Sequence, residues 1–98
     1  MRRYGYVYIL CSQKYGTLYI GMTSDLAGRL EQHKSHYNSK CFTALHNVTR
    51  LVWFERYDLI VDAIAREKRL KKWKRDWKIA LIEENNPEWR ELILDYDD

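Results

Sequence analysis

Cysteine, proline and glycine are scarce in this chain, with two, one and four of them in 98 residues. Cys11 and Cys41 stand apart, in neither ligand-like nor redox spacing, a usage that suits a reducing cytoplasm and argues against a zinc finger or a catalytic dithiol. Cys11, inside an apolar run, reads as a small buried residue, and Cys41 stays open. There is no glycine-rich phosphate loop, internal repeat or low-complexity tract, and no serine or cysteine nucleophile with its base is suggested. No apolar run is long enough to cross a bilayer. Met1-Arg2-Arg3 followed by Tyr4 to Cys11 superficially resembles a secretory leader, but the run is short, rich in tyrosine, broken by Gly5 and followed by no small-residue cleavage site. The expectation is a cytoplasmic protein with no membrane partner.

What the chain does contain is apolar and charged residues in amounts that support a packed core, 46% and 32%, so disorder is excluded. Its length suits one domain, 1–98, with no linker. The net charge of +3 is modest but unevenly placed. Arg66, Lys68, Arg69, Lys71, Lys72, Lys74, Arg75 and Lys78 crowd a helix-rich basic segment, 60–84, against only Glu67 and Asp76 between Arg66 and Lys78. Positions 87–98 form an acidic tail ending in Asp95, Asp97 and Asp98. A basic concentration of this kind points to phosphate-bearing partners, because such contacts release counterions; a solvated helix face is the plainer alternative.

Two tyrosine-rich runs, Tyr6 to Cys11 and Thr17 to Gly21, flank the turn-like Ser12 to Gly16 and predict a β-hairpin. With Tyr8 opposite Tyr19, the loop would close on Ser12 to Tyr15 and both phenols would leave one face of the sheet. Thr23-Ser24-Asp25-Leu26 then reads as a helix start, with Ser24 accepting from a free amide and Asp25 complementing the helix dipole. This helix runs to about Lys34. Leu26, Leu30 and His33 share its inward stripe, with Arg29 one turn before His33. His36 to Asn47 reads as loop. Val48 to Tyr57 predicts a third strand, apolar on both parities through Leu51, Val52, Trp53 and Phe54, which requires helices on both faces of the sheet.

A helix from about Ile60 carries Ala63, Ile64, Glu67 and Leu70 on one stripe. A carboxylate there must be paired, hydrogen-bonded or metal-bound; Arg29 is one candidate partner and a divalent ion another. Helix is expected on to about Glu84, with Trp73 and Trp77 at helical spacing taken as core more readily than as a base-stacking surface. Asn85-Asn86-Pro87 ends it, and Pro87 to Arg90 predicts a new helical turn capped by Asn86.

Taken together, Tyr6-Val7-Tyr8, Tyr19-Ile20-Gly21, Thr23, Arg29, His33, Glu67 and Asn86 resemble the ordered motif set of the GIY-YIG nuclease superfamily. The likeness spans nearly the whole chain. The basic segment from Arg66 with Asn86-Pro87-Glu88-Trp89 is most similar to small stand-alone bacterial members of largely unassigned role. One departure is Tyr6, which occupies the place of the name-giving glycine, with Gly5 one position early, and whose ring would narrow the cleft if it pointed inward.

The resemblance implies an α/β fold of the α+β type, a three-stranded antiparallel sheet flanked by helices. It implies an endonuclease that hydrolyses phosphodiester bonds with one Mg2+ or Mn2+ ion, in DNA repair or recombination. Glu67 would hold the metal, Tyr8 would position or activate water beside Tyr19, and Arg29 would bind the scissile phosphate. His33 would support proton transfer, and Asn86 would complete the site, with Asn85 an alternative for that role. Lys68, Lys71, Lys72, Lys74 and Arg75 are the expected substrate-binding residues. The expected partner is nucleic acid, DNA ahead of RNA. With no added DNA-binding domain in this chain, specificity would rest on the basic helix, a homodimer or a protein partner. The competing reading is a DNA- or RNA-binding module that keeps the fold without turnover; a third is a protein-interaction domain acting through the acidic tail.

Overall fold

A computed structural model of the chain describes residues 3–35 and 46–94. Among them the elements follow the order β1 (Gly5–Cys11), β2 (Leu18–Thr23), α1 (Leu26–Lys34), β3 (Arg50–Tyr57), α2 (Ile60–Lys72) and α3 (Arg75–Asn85). The three strands form one antiparallel sheet in the order β2-β1-β3. The expected loop at 36–45, Cys41 and the acidic residues 95–98 lie outside the described residues.

Central β1 serves two cores because its side chains alternate. Val7, Ile9 and Cys11 pack on one face with Ala63, Leu70 and Ile82 from α2 and α3. Tyr8 and Leu10 pack on the other with Leu26 of α1, flanked by Tyr6, Tyr19 and Leu30. Cys11 is wholly buried, as its sequence context suggests. A bulge in the β1–β3 pairing shifts Ile9 opposite Trp53 but Leu10 opposite Leu51, leaving Val52 unpaired. Val52 and Trp53 can therefore both enter the α2/α3 core while Leu51 faces α1, which explains the apolar residues on both parities.

The hairpin register differs from the expected one. Tyr8 lies opposite Gly21, and Tyr19 opposite Leu10. The loop is longer, Ser12 to Thr17, closed by Ser12 N–H to Thr17 O at 3.1 Å and by Thr17 N–H to Ser12 Oγ at 3.0 Å. Tyr15 in this loop adopts a left-handed backbone, and Arg75 of α3 donates to the carbonyls of Tyr15 and Gly16. The slip is by two residues, so both phenols keep the face that alternation assigned them.

The expected continuous helix to Glu84 is broken: Trp73 and Lys74 are extended, with ψ 150° and 152°. Leu70 and Ile82 both belong to the core under the sheet. In one straight helix their twelve-residue separation would span about 18 Å, so the second must turn back to reach the same apolar face. The new helical turn expected at Pro87 is also absent. Trp89 N–H closes a turn onto Asn86 O at 3.0 Å, and Trp89 takes a left-handed φ of 57° while its ring is wholly buried. The chain then returns along β3, where Leu92 N–H donates to Leu51 O at 2.8 Å.

Candidate active site

Three elements meet where the two tyrosine motifs face α1. The rings of Tyr8 on β1 and Tyr19 on β2 lie 6.3 Å apart, centroid to centroid. His33 from the last turn of α1 meets both edge-on, at 5.9 and 5.5 Å. Its Nε2 is 3.1 Å from the Tyr8 hydroxyl. Gly21 makes this possible, because a Cβ there would fall 2.5 Å from Tyr8 Oη and 3.0 Å from Tyr19 Cε2. A strand glycine at such a contact marks a side chain laid across the backbone. That signal was present in the sequence, but the ring it serves was not identifiable from it.

The direction of α1 is set locally. Thr23 Oγ1 accepts from Asp25 N–H at 3.0 Å, and the Asp25 carboxylate caps the helix at Gly28 N–H, 3.1 Å away. Asp25 is thus the cap, in place of Ser24, which sequence placed one residue early. From that start, the α1 periodicity delivers Arg29 and His33 toward Tyr8.

The electrostatics follow from burial. The Tyr8 phenol is pushed up to about 12, first by desolvation and then by Tyr19, while the charge and hydrogen bond of Arg29 pull the other way. Burial, then the Arg29 guanidinium, hold His33 below its ordinary value of 6.5. At neutral pH the pair is therefore a neutral phenol against a neutral imidazole, a donor and an acceptor of one proton.

The remaining expected residues divide. Glu67 of α2 is largely covered, its side chain 19% exposed, and its negative charge is felt at Tyr8. Its ion pair is with Lys71, at 3.2 Å, and not with Arg29. Asn86 is committed to the fold: Nδ2 donates to Val52 O and Arg90 O, and Oδ1 accepts from Arg90 N–H. It has no donor left for a phosphate and instead fastens the β3 bulge to the returning chain, while Asn85 is exposed at the end of α3. Arg75 is spent on the hairpin carbonyls, whereas Lys68, Lys72 and Lys74 are exposed. Tyr6 has its ring against Tyr4 and Phe54, at 5.8 and 6.4 Å, lining a separate cavity of about 470 Å³ and not narrowing the cleft at His33. Trp77, expected in the core, is 55% exposed.

Residues 4–80 match the family model described as the GIY-YIG catalytic domain. The chain belongs to the GIY-YIG family. It is 38% identical over 81 residues to a UPF0213 protein of Syntrophus aciditrophicus, covering 82% of this chain and 91% of that protein. It is 35% identical over 80 residues to a UPF0213 protein of Staphylococcus aureus, covering 81% and 94%. The solution NMR structure of a UPF0213 protein from Bacillus halodurans superposes with a TM-score of 0.56 at 28% identity, over 90% of this chain and 92% of that one. The α+β fold with its antiparallel sheet is thus shared with these small GIY-YIG relatives.

Members of the GIY-YIG family generally work with a divalent metal, so the donor set matters. Among the described residues no three His, Cys, Asp or Glu side chains are grouped to hold a metal ion. Glu67 is a single carboxylate whose charge reaches the Tyr8 phenol. That arrangement fits a hard ion that keeps several waters and takes further ligands from substrate phosphate, and it does not fit a zinc centre.

Proposed function

We propose that the protein is a divalent-metal-dependent endonuclease that hydrolyses DNA phosphodiester bonds. The observation that supports it most is the Tyr8–His33 hydrogen bond, made beside Tyr19 and under the charge of Arg29. A phenol near 12 does not ionise by itself at neutral pH. It can instead relay a proton: Tyr8 Oη accepts one from the attacking water as its own passes to His33 Nε2. The resulting hydroxide bonds to phosphorus, the bond to the leaving oxygen breaks, and that oxygen takes a proton from solvent. Arg29 neutralises charge gathering on the phosphoryl oxygens, and beside the imidazolium it favours loss of the relayed proton to solvent. Glu67 would hold the metal ion, which when bound supplies Lewis acidity toward the phosphoryl oxygen.

The test is nicking of supercoiled plasmid DNA by the purified protein with Mg2+ or Mn2+. Nicking is expected in the wild type and lost in Glu67→Ala and Arg29→Ala, with the circular-dichroism spectra unchanged. Activity that persists in the Glu67 variant overturns the reading.

One observation favours a second reading, a binding module without turnover: Glu67 already has a cation in Lys71. That reading expects salt-sensitive DNA or RNA binding, weakened by neutralising Lys71 and Lys72 and indifferent to Glu67→Ala.

A further inference from the structure

We infer that the groove between Tyr19, Lys71 and Lys78 is a DNA-strand subsite, one that seats a backbone phosphate beside the reacting one. The inference rests on the nuclease reading for its location and on the groove's own chemistry for its ligand. The groove, about 270 Å³, has Leu18, Tyr19 and Ile20 of β2 as its floor and Lys71 of α2 and Lys78 of α3 as its walls. Tyr19 joins the two: it borders the groove, and its ring, on the α1 face of β2, packs against both Tyr8 and His33.

Two lysines line one small groove, and no carboxylate lines it with them. Lys78 joins none of the ion pairs among the described residues. Lys71 has its Nζ on Glu67, but its side chain is 55% exposed, so its flexible stem can carry the charge from the carboxylate to a bound anion. An anion in the groove would meet the charge of Lys78 and, once it leaves Glu67, that of Lys71, and a phosphodiester strand entering from Tyr19 supplies one.

The broken helix builds this arrangement. Arg75, at the start of α3, binds the carbonyls of Tyr15 and Gly16 at 2.7 and 2.6 Å and so anchors α3 to the hairpin. Three residues later Lys78 stands over β2. Within the basic segment, Arg75 is therefore an anchor, and Lys78 is the binding residue that charge density alone did not single out.

The experiment titrates the full chain with a fluorescein-labelled DNA duplex in EDTA, so that no strand is cut, and follows anisotropy as salt is varied. Lys78→Gln and Lys71→Gln are each expected to flatten the log–log salt dependence by about one unit and to weaken binding roughly fivefold. Arg56→Gln removes an equal charge from β3, the opposite edge of the sheet, and is expected to keep the wild-type slope. A wild-type slope in Lys78→Gln, an equal loss in Arg56→Gln, or no duplex binding by the wild type overturns the inference. The two readings fail separately: absent nicking with the groove slopes as expected sinks the nuclease alone, whereas intact nicking with unchanged slopes sinks the groove alone.

Discussion

Tyr8 and Tyr57 are both held up to about 12, each with burial as the leading cause, yet they belong to opposite kinds of cluster. Tyr57, on edge strand β3, donates to the Glu55 carboxylate, and Arg66 Nε lies 3.4 Å from the same Glu55 oxygen. Its proton is committed to an anion that already has a cation. Tyr8, on central β1, is fully buried and faces a neutral imidazole. That acceptor can take the proton and release it again. Two phenols raised in the same direction thus differ in what stands opposite them: the Tyr57 proton is held by an ion-paired carboxylate, and the Tyr8 proton faces a neutral acceptor that can take it and give it back.

The comparison breaks most sharply at the hydroxyls themselves. Tyr8→Phe should lower nicking by at least about 100-fold, the scale of a lost proton-transfer group, while Tyr57→Phe leaves it at the wild-type level. Equal losses in plasmid assays would erase the distinction. Next comes Gly21→Ala, whose methyl would lie 2.5 Å from Tyr8 Oη. Tyr8 must shift, so nicking should fall more than tenfold, in keeping with the cost of a 1 Å misplacement. A crystal structure of the variant with Tyr8 still on His33 would contradict this.

Asn86→Ala sharpens the contrast between holding a fold and serving a site. Losing hydrogen bonds to Val52 and Arg90 at a buried position should cost about 3 kcal/mol in urea denaturation. Nicking per folded molecule should stay unchanged; a selective loss of activity would place Asn86 in the chemistry. The smallest effect is the pH dependence of His33. Its folded value lies below 6.5, so the stability tied to its neutral form is present above 6.5 and is lost as pH falls through the folded value. The acid limb of nicking should likewise lie below pH 6.5, since protonated His33 cannot accept from Tyr8. A limb above 6.5 would point to another group.

Much of this was legible because alternation and helical spacing are local. The shared face of Tyr8 and Tyr19 survived a wrong register, since a slip of two residues preserves parity. Arg29 and His33 were placed inward by their spacing from Leu26 and Leu30, and α1 delivers them there. The register itself was not legible, because the hairpin loop is held by Arg75, sixty positions away from Tyr15. Nor was the break at Trp73 and Lys74, where no proline or glycine marks it and the cause is the finite reach of the sheet beneath Leu70 and Ile82.

By itself the sequence determined the strands, the helical character of most of 26–34 and 60–84 and the face shared by the two motif tyrosines, because periodicity acts over a few residues. Only the tertiary structure decided what each polar group faces. It gave Tyr8 to His33, Glu67 to Lys71, Asn86 to the backbone of Val52 and Arg90, and Lys78 to the groove beside Tyr19. The physical reason is that a buried polar atom takes the partner that packing brings within reach, and packing is settled by contacts far apart in the chain.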